Sequence, residues 1–200
     1  MRLLFMIAMM MFLPMAVLAP TFAMADEPMA LPTDRGPAVG QMTPSNLAVI
    51  NQDGEPTNFA ALTGDKGLVL VFVRSLKWCP FCKKQVQELA PAVADIEARG
   101  YNLVALSYDS LKDIQRFVED NEISFSVLSD RKSAVIDAFD IRNEQFGKAH
   151  FANGVPHPMI FVIGKDKIIQ AKLAEEGYKA RPPITVILET LDGLEMTAAE

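Results

Sequence analysis

The chain's only two cysteines, Cys79 and Cys82, stand three positions apart in Trp78-Cys79-Pro80-Phe81-Cys82. What surrounds them constrains the fold more than any other stretch. The run 68–73, Leu-Val-Leu-Val-Phe-Val, precedes them and is apolar throughout, as a strand covered on both faces must be. The run 83–90 that follows is rich in helix formers. The order is buried strand, short turn, C-x-x-C, helix. It places Cys79 at a helix N-terminus, where unpaired N–H groups and the macrodipole favour negative charge. A thiolate is the nucleophile of thiol–disulfide exchange, so the placement activates sulfur. The first expectation is a dithiol that cycles with a disulfide.

Residues 1–25 read as a secretory signal peptide. Arg2 gives the positive start, residues 3–18 are almost wholly apolar, and Ala23-Met24-Ala25 has the small-x-small form of a cleavage site. The apolar run is shorter than the roughly 20 residues of a spanning helix and contains Pro14. The expectation is a periplasmic or secreted protein with no stable membrane insertion after cleavage; an uncleaved membrane anchor is the competing reading. Residues 26–43, rich in Pro, Gly and Ala, read as a linker or loosely attached arm, and 44–196 as one domain. A count of 19 Lys and Arg against 25 Asp and Glu, mixed along the chain, argues against nucleic acid as a partner. In an exported protein a cysteine pair is often a structural staple. Here it would close a loop of only Pro80 and Phe81, which removes little entropy from the unfolded chain. Chemistry is the better reading.

The rest of the domain alternates in period. Residues 47–50 suggest a short strand, followed by a turn at Asp53-Gly54, and 58–62 suggest one helical turn. The helix after Cys79 runs to about Arg99, with Val86, Leu89, Val93 and Ile96 on one face; Pro91 should kink or split it and Gly100 should stop it. A strand at 102–107 leads to a helix capped by Ser110, then a strand at 125–128 and a helix near 133–139 capped by Asp130. Residues 159–163 and 168–173 form a hairpin, and Pro183 opens a last helix. The expected class is α/β: a three-layer sandwich with a central mixed sheet flanked by helices.

The segment 71–82, Val-Phe-Val-Arg-Ser-Leu-Lys-Trp-Cys-Pro-Phe-Cys, resembles the redoxin, or AhpC/TSA-like, branch of the thioredoxin superfamily. The run Pro158-Met159-Ile160-Phe161-Val162-Ile163 resembles that branch's second landmark, a cis-proline before a strand beside the active site; Pro156 competes for the role. The likeness covers about 40–194. It implies a thioredoxin-like fold and redox activity on thiols, with Cys79 the exposed attacking thiolate and Cys82 the resolving thiol. It also implies a substrate-binding surface of Trp78, Pro80, Phe81, His157 and Pro158, with His157 beside the sulfurs. Lys77, Lys83 or Arg74 would add positive potential. No cofactor is expected beyond the Cys79–Cys82 disulfide. The partners are protein or small-molecule thiol and disulfide clients and a thiol reductant.

Three functions compete. The leading one is an exported thiol–disulfide oxidoreductase. The second is a peroxiredoxin-like thiol peroxidase, whose P-x-x-x-T/S-x-x-C pattern neither cysteine completes: Leu76 and Phe72 stand three and seven positions before Cys79, Cys79 and Ser75 before Cys82. The third is a copper-assembly protein using both cysteines and a histidine, for which the cysteine spacing is one residue short. No carboxylate lies in 68–73, so the proton acceptor for Cys82 has no candidate there.

Overall fold

A computed structural model describes residues 35–175, 177 and 179–198. The expected signal peptide, and residues 26–34 of the expected arm, lie outside the described residues. The chain runs α1 (Phe59–Leu62), β1 (Gly67–Phe72), α2 (Pro80–Leu89), a 3₁₀ turn (Ala90–Ala92), α3 (Val93–Glu97), β2 (Tyr101–Ser107) and α4 (Leu111–Asp120). It continues through β3 (Ser126–Ser129), α5 (Ala134–Ala138), β4 (Met159–Gly164), β5 (Ile169–Leu173) and α6 (Ile184–Ala198). The sheet order is β3-β2-β1-β4-β5. β1 pairs parallel to β2 and antiparallel to β4, so Leu70 stands between Val104 and Phe161.

This is the expected thioredoxin-like sandwich, and β1 shows why its residues choose it. Successive strand side chains point to opposite faces. Val69 and Val71 join one core with Val86, Ile96, Ile114 and Ile187, from α2, α3, α4 and α6. Leu68, Leu70 and Phe72 join the other with Phe59, Ile136 and Phe139. A strand with two interiors can hold no polar side chain, and each fully buried Leu, Val or Phe contributes roughly 1.5–3 kcal/mol.

Pro91 splits the long helix as expected, in the 3₁₀ turn between α2 and α3, and Gly100 ends it at φ +83°. Two expectations change. Residues 47–50 form no ladder; Ile50 makes isolated bridges to Pro56 and Ser129 instead. Residues 35–43 are not a loose arm. Met42 bridges Ile168, the Gly40 N–H donates to the Ile169 carbonyl at 2.8 Å, and the Thr43 N–H donates to the Lys167 carbonyl at 2.7 Å. The hairpin edge offers unpaired backbone groups, and this segment takes them.

Candidate active site

The two cysteines sit where the parallel strands end, at the edge from which β1 leads into α2. The turn that joins β1 to α2 is fixed from beneath by Asp109, just past the end of β2. Its carboxylate accepts from the Ser75 hydroxyl at 2.8 Å, the Leu76 N–H at 2.5 Å and the Ser107 hydroxyl at 2.7 Å. Ser75 Oγ in turn accepts the N–H groups of Lys77 and Trp78. The result is a turn whose donors are satisfied inside the protein, leaving Cys79 as the N-cap of α2. Pro80 is the first helical residue, where its missing N–H costs nothing. Cys79 Sγ accepts from the Cys82 N–H at 3.4 Å.

Both cysteines are free thiols, and both are buried: Cys79 is 2% exposed and Cys82 0%. The expected exposed attacking sulfur is therefore not found. Cys79 packs into the core cluster with Val73, Leu76 and Val86. Phe81 and Trp78 are more exposed than the sulfurs they flank, and Pro80 lies at the surface.

The charge near the sulfurs comes from a residue that sequence reasoning missed. Arg181 Nη2 lies 3.3 Å from Cys82 Sγ, and its Nε donates to Gln85 Oε1 at 2.9 Å. The hydrogen bond from the Cys79 thiol and then the Arg181 guanidinium, against the cost of burial, bring Cys82 down to about 6. The same hydrogen bond, with burial, pushes the Cys79 thiol up. The two shifts run in opposite directions and favour the charge on Cys82, where the sequence suggests a thiolate at Cys79. Of the cations expected to help, Lys77 pairs with Asp113 at 3.3 Å and Lys83 only borders a shallow surface cleft. Arg74 lies between the Trp78 and Phe146 rings, 5.3 and 5.2 Å from their centres.

The proline landmark also differs. The described residues contain no cis peptide bond, so His157–Pro158 is trans. Residues 155–158 run extended beside 141–143: the Asn143 N–H donates to the Val155 carbonyl, Pro156 bridges Arg142, and the His157 N–H donates to the Ile141 carbonyl at 2.7 Å. An extended chain satisfies these bonds in the trans form, which an X-Pro bond prefers by about 0.5–1 kcal/mol. His157 is engaged by Glu144, with Nε2 2.8 Å from Oε2. That contact, the Glu144 backbone and Arg35 hold the Glu144 carboxyl down at about 2. His150, expected at the surface, is exposed and lies against Phe146 and Phe151.

Trp78 stands in the wall of a cleft. Its Nε1 donates to the Tyr108 hydroxyl at 3.0 Å, and its ring meets Phe151 edge-on at 5.2 Å. With His157 and Pro158 it lines a cleft of about 570 Å³. Asp109 and Tyr108 had one legible signal: they directly follow a strand whose C-terminal end lies at the sheet's site edge. Arg181 and Gln85 had none. Among the described residues no three His, Cys, Asp or Glu side chains are grouped to hold a metal ion, and no helix there is long and apolar enough to cross a membrane.

A mixed sheet flanked by helices, with a dithiol at the start of α2, defines a thioredoxin-like redox protein. The comparisons narrow this. The profile described as AhpC/TSA family matches residues 39–172. Peroxiredoxin Bcp of Escherichia coli (strain K12) is 25% identical over 131 residues, 66% of this chain and 81% of that protein. Thiol-disulfide oxidoreductase ResA of Halalkalibacterium halodurans is 28% identical over 98 residues, 48% of this chain and 54% of that one. The crystal structure of peroxidoxin BcpB from Mycobacterium tuberculosis superposes with TM-score 0.67 at 20% identity, covering 78% of this chain and 97% of that one. The chain belongs to the AhpC/TSA family, and so to a group of thiol-based redox enzymes.

Proposed function

We propose that this protein reduces a small oxidant, of the hydroperoxide class, with the Cys79–Cys82 dithiol. The observation that carries the reading is the burial of both sulfurs beside each other. A hydroperoxide needs only a narrow approach, whereas a protein disulfide must bring its own backbone against the attacking sulfur. The relation to peroxiredoxin Bcp supports the same choice.

In this reading the Cys82 thiolate attacks the terminal oxygen of the hydroperoxide. An S–O bond forms, the O–O bond breaks, and the alcohol leaves with a proton. With Cys82 no longer an anion, Cys79 gives up its proton and attacks the sulfenic acid at Cys82 as a thiolate; the S–S bond forms, and the hydroxyl leaves with that proton as water. Two equivalents of an external thiol restore the dithiol and depart as their own disulfide. Arg181 holds the attacking charge, and Cys79, kept protonated by its neighbour, is the resolving thiol.

The test is peroxide consumption by the purified protein, with dimedone trapping in single-cysteine variants. Cys82→Ser should abolish consumption, and Cys79→Ser should accumulate a trapped sulfenate at position 82. A sulfenate at Cys79 in the Cys82→Ser variant would reverse the roles. Consumption unaffected by either change would discard the reading.

A second reading, exchange with client disulfides, is favoured by the position of Cys79 as the N-cap of α2, followed by the exposed Pro80 and Phe81, and by the ResA relation. Insulin reduction that exceeds peroxide turnover would select it. In both readings the protein works after export, with the 1–25 segment removed as a signal peptide.

A further inference from the structure

A polar side chain stands where α2 would otherwise bury an apolar one. Cys82, Gln85, Val86 and Leu89 form the buried stripe of the helix, at the three- and four-residue steps that put side chains on one face. Cys82, Val86 and Leu89 join the core. Gln85, 5% exposed, is the one amide among them. A buried amide is costly unless it is bonded, so a glutamine in such a stripe points to a specific partner.

That partner is Arg181. Gln85 Oε1 accepts from Arg181 Nε at 2.9 Å, and Arg181 Nη2 lies 3.3 Å from Cys82 Sγ. Nε and Nη2 share one edge of the planar guanidinium, so a single edge spans two residues of α2 one turn apart. Arg181 is only half-buried, and with Gln85, Leu89, Pro91 and Ile184 it lines a groove of about 470 Å³. Water in that groove competes for the guanidinium. A long, flexible cation at the lip of a groove keeps one orientation only where fixed acceptors hold it. A cysteine sulfur is a weak acceptor beside an amide oxygen, so Gln85 supplies the firmer half of the grip.

We propose that Gln85 is a positioning residue: it holds the Arg181 guanidinium edge-on against Cys82 and so keeps that sulfur ready to attack. Its part in turnover rests on the dithiol cycle above; its hold on the guanidinium does not. Gln85 acts through Arg181 and touches no substrate. Cys79 and Arg181 are the titratable groups in contact with Cys82. Glu88, the acid of the same groove, pairs with Lys84 at 3.5 Å.

Gln85→Met keeps the length and helix preference of the side chain and removes its oxygen. The pH midpoint of Cys82 is read in two ways: by iodoacetamide alkylation located with fragment-ion mass spectrometry, and by the ultraviolet absorbance of the thiolate, which needs no access to the sulfur. The expected result is a midpoint raised by about half a pH unit, less than loss of the charge itself would give, with unchanged near-ultraviolet dichroism. Gln85→Ala, which removes the same oxygen without filling its place, should raise the midpoint at least as far. The decisive sample combines Gln85→Met with Arg181→Gln. A residue that acts only through the guanidinium adds nothing once the guanidinium is gone, so the double variant should match Arg181→Gln alone. An unmoved midpoint in Gln85→Met and Gln85→Ala, or shifts that add in the double variant, overturns the proposal. A raised midpoint in a protein that consumes no peroxide would keep the role of Gln85 and discard the proposed activity. Peroxide turnover with an unmoved midpoint would do the reverse.

Discussion

The contact between Arg181 and Cys82 adds to the Cys79 hydrogen bond in favouring the charge on Cys82. A thiol attacks only as the thiolate, so reactivity is full above the group's pKa and is lost as pH falls through it. With Cys82 near 6, its alkylation by iodoacetamide should rise through about pH 6 and level off near neutrality. Arg181→Gln keeps a donor but removes the charge. It should move that midpoint up by roughly one pH unit, which corresponds to about 1.4 kcal/mol of lost preference for the charged form. Peptide mass spectrometry across a pH series measures it, and an unmoved midpoint would take Arg181 out of the site. The sequence showed the cysteines clearly, because strand, turn and helix start are local patterns. It hid the guanidinium, which joins them across 99 positions. No periodicity or spacing rule spans such a distance. It also suggested an exposed Cys79, since an N-cap is often at the surface; burial of this one depends on packing by Val73, Leu76 and Val86.

The elements were legible wherever punctuation was local. Pro91, Gly100 and the cap Ser110 mark helix boundaries close to where the structure has them. Asp130 was legible as a cap, though the way it caps was not. Ser133, in the capping position, is left-handed at φ 57° and makes no side-chain cap. The Asp130 carboxylate reaches forward instead to the N–H groups of Ala134, Val135 and Ile136 at 2.8, 2.9 and 2.9 Å. Asp130→Ala would take the acceptor from three N–H donors at once at the start of a five-residue helix. The expected loss is about 2 kcal/mol, at the upper end for caps, read as a lower urea midpoint with unchanged slope. A loss below about 0.5 kcal/mol would show that water satisfies those groups equally well. The trans bond at Pro158 was not legible: what sets it is pairing with residues 141–143, which come from another part of the chain.

At the scale of the molecule, the order of strands and the closing hairpin followed from alternation of period along the chain. The clamp at residues 40–43 did not, because a Pro- and Gly-rich segment carries no apolar period. Its backbone does the work by pairing with 167–169. A protein that begins at residue 44 should lose thermal stability and tend to self-associate through the uncovered edge, as a differential scanning and light-scattering comparison with the longer form would show. An unchanged transition in a monomeric sample would mean that the edge needs no cover. The Arg181 contact has one last consequence at this scale. A sulfur locked in a bridge carries no anion, so oxidation leaves the guanidinium facing a neutral partner at the foot of α6. The spent and the recharged enzyme then present different electrostatic faces along that rim, and a visiting electron donor has a physical basis for telling which of the two it has met.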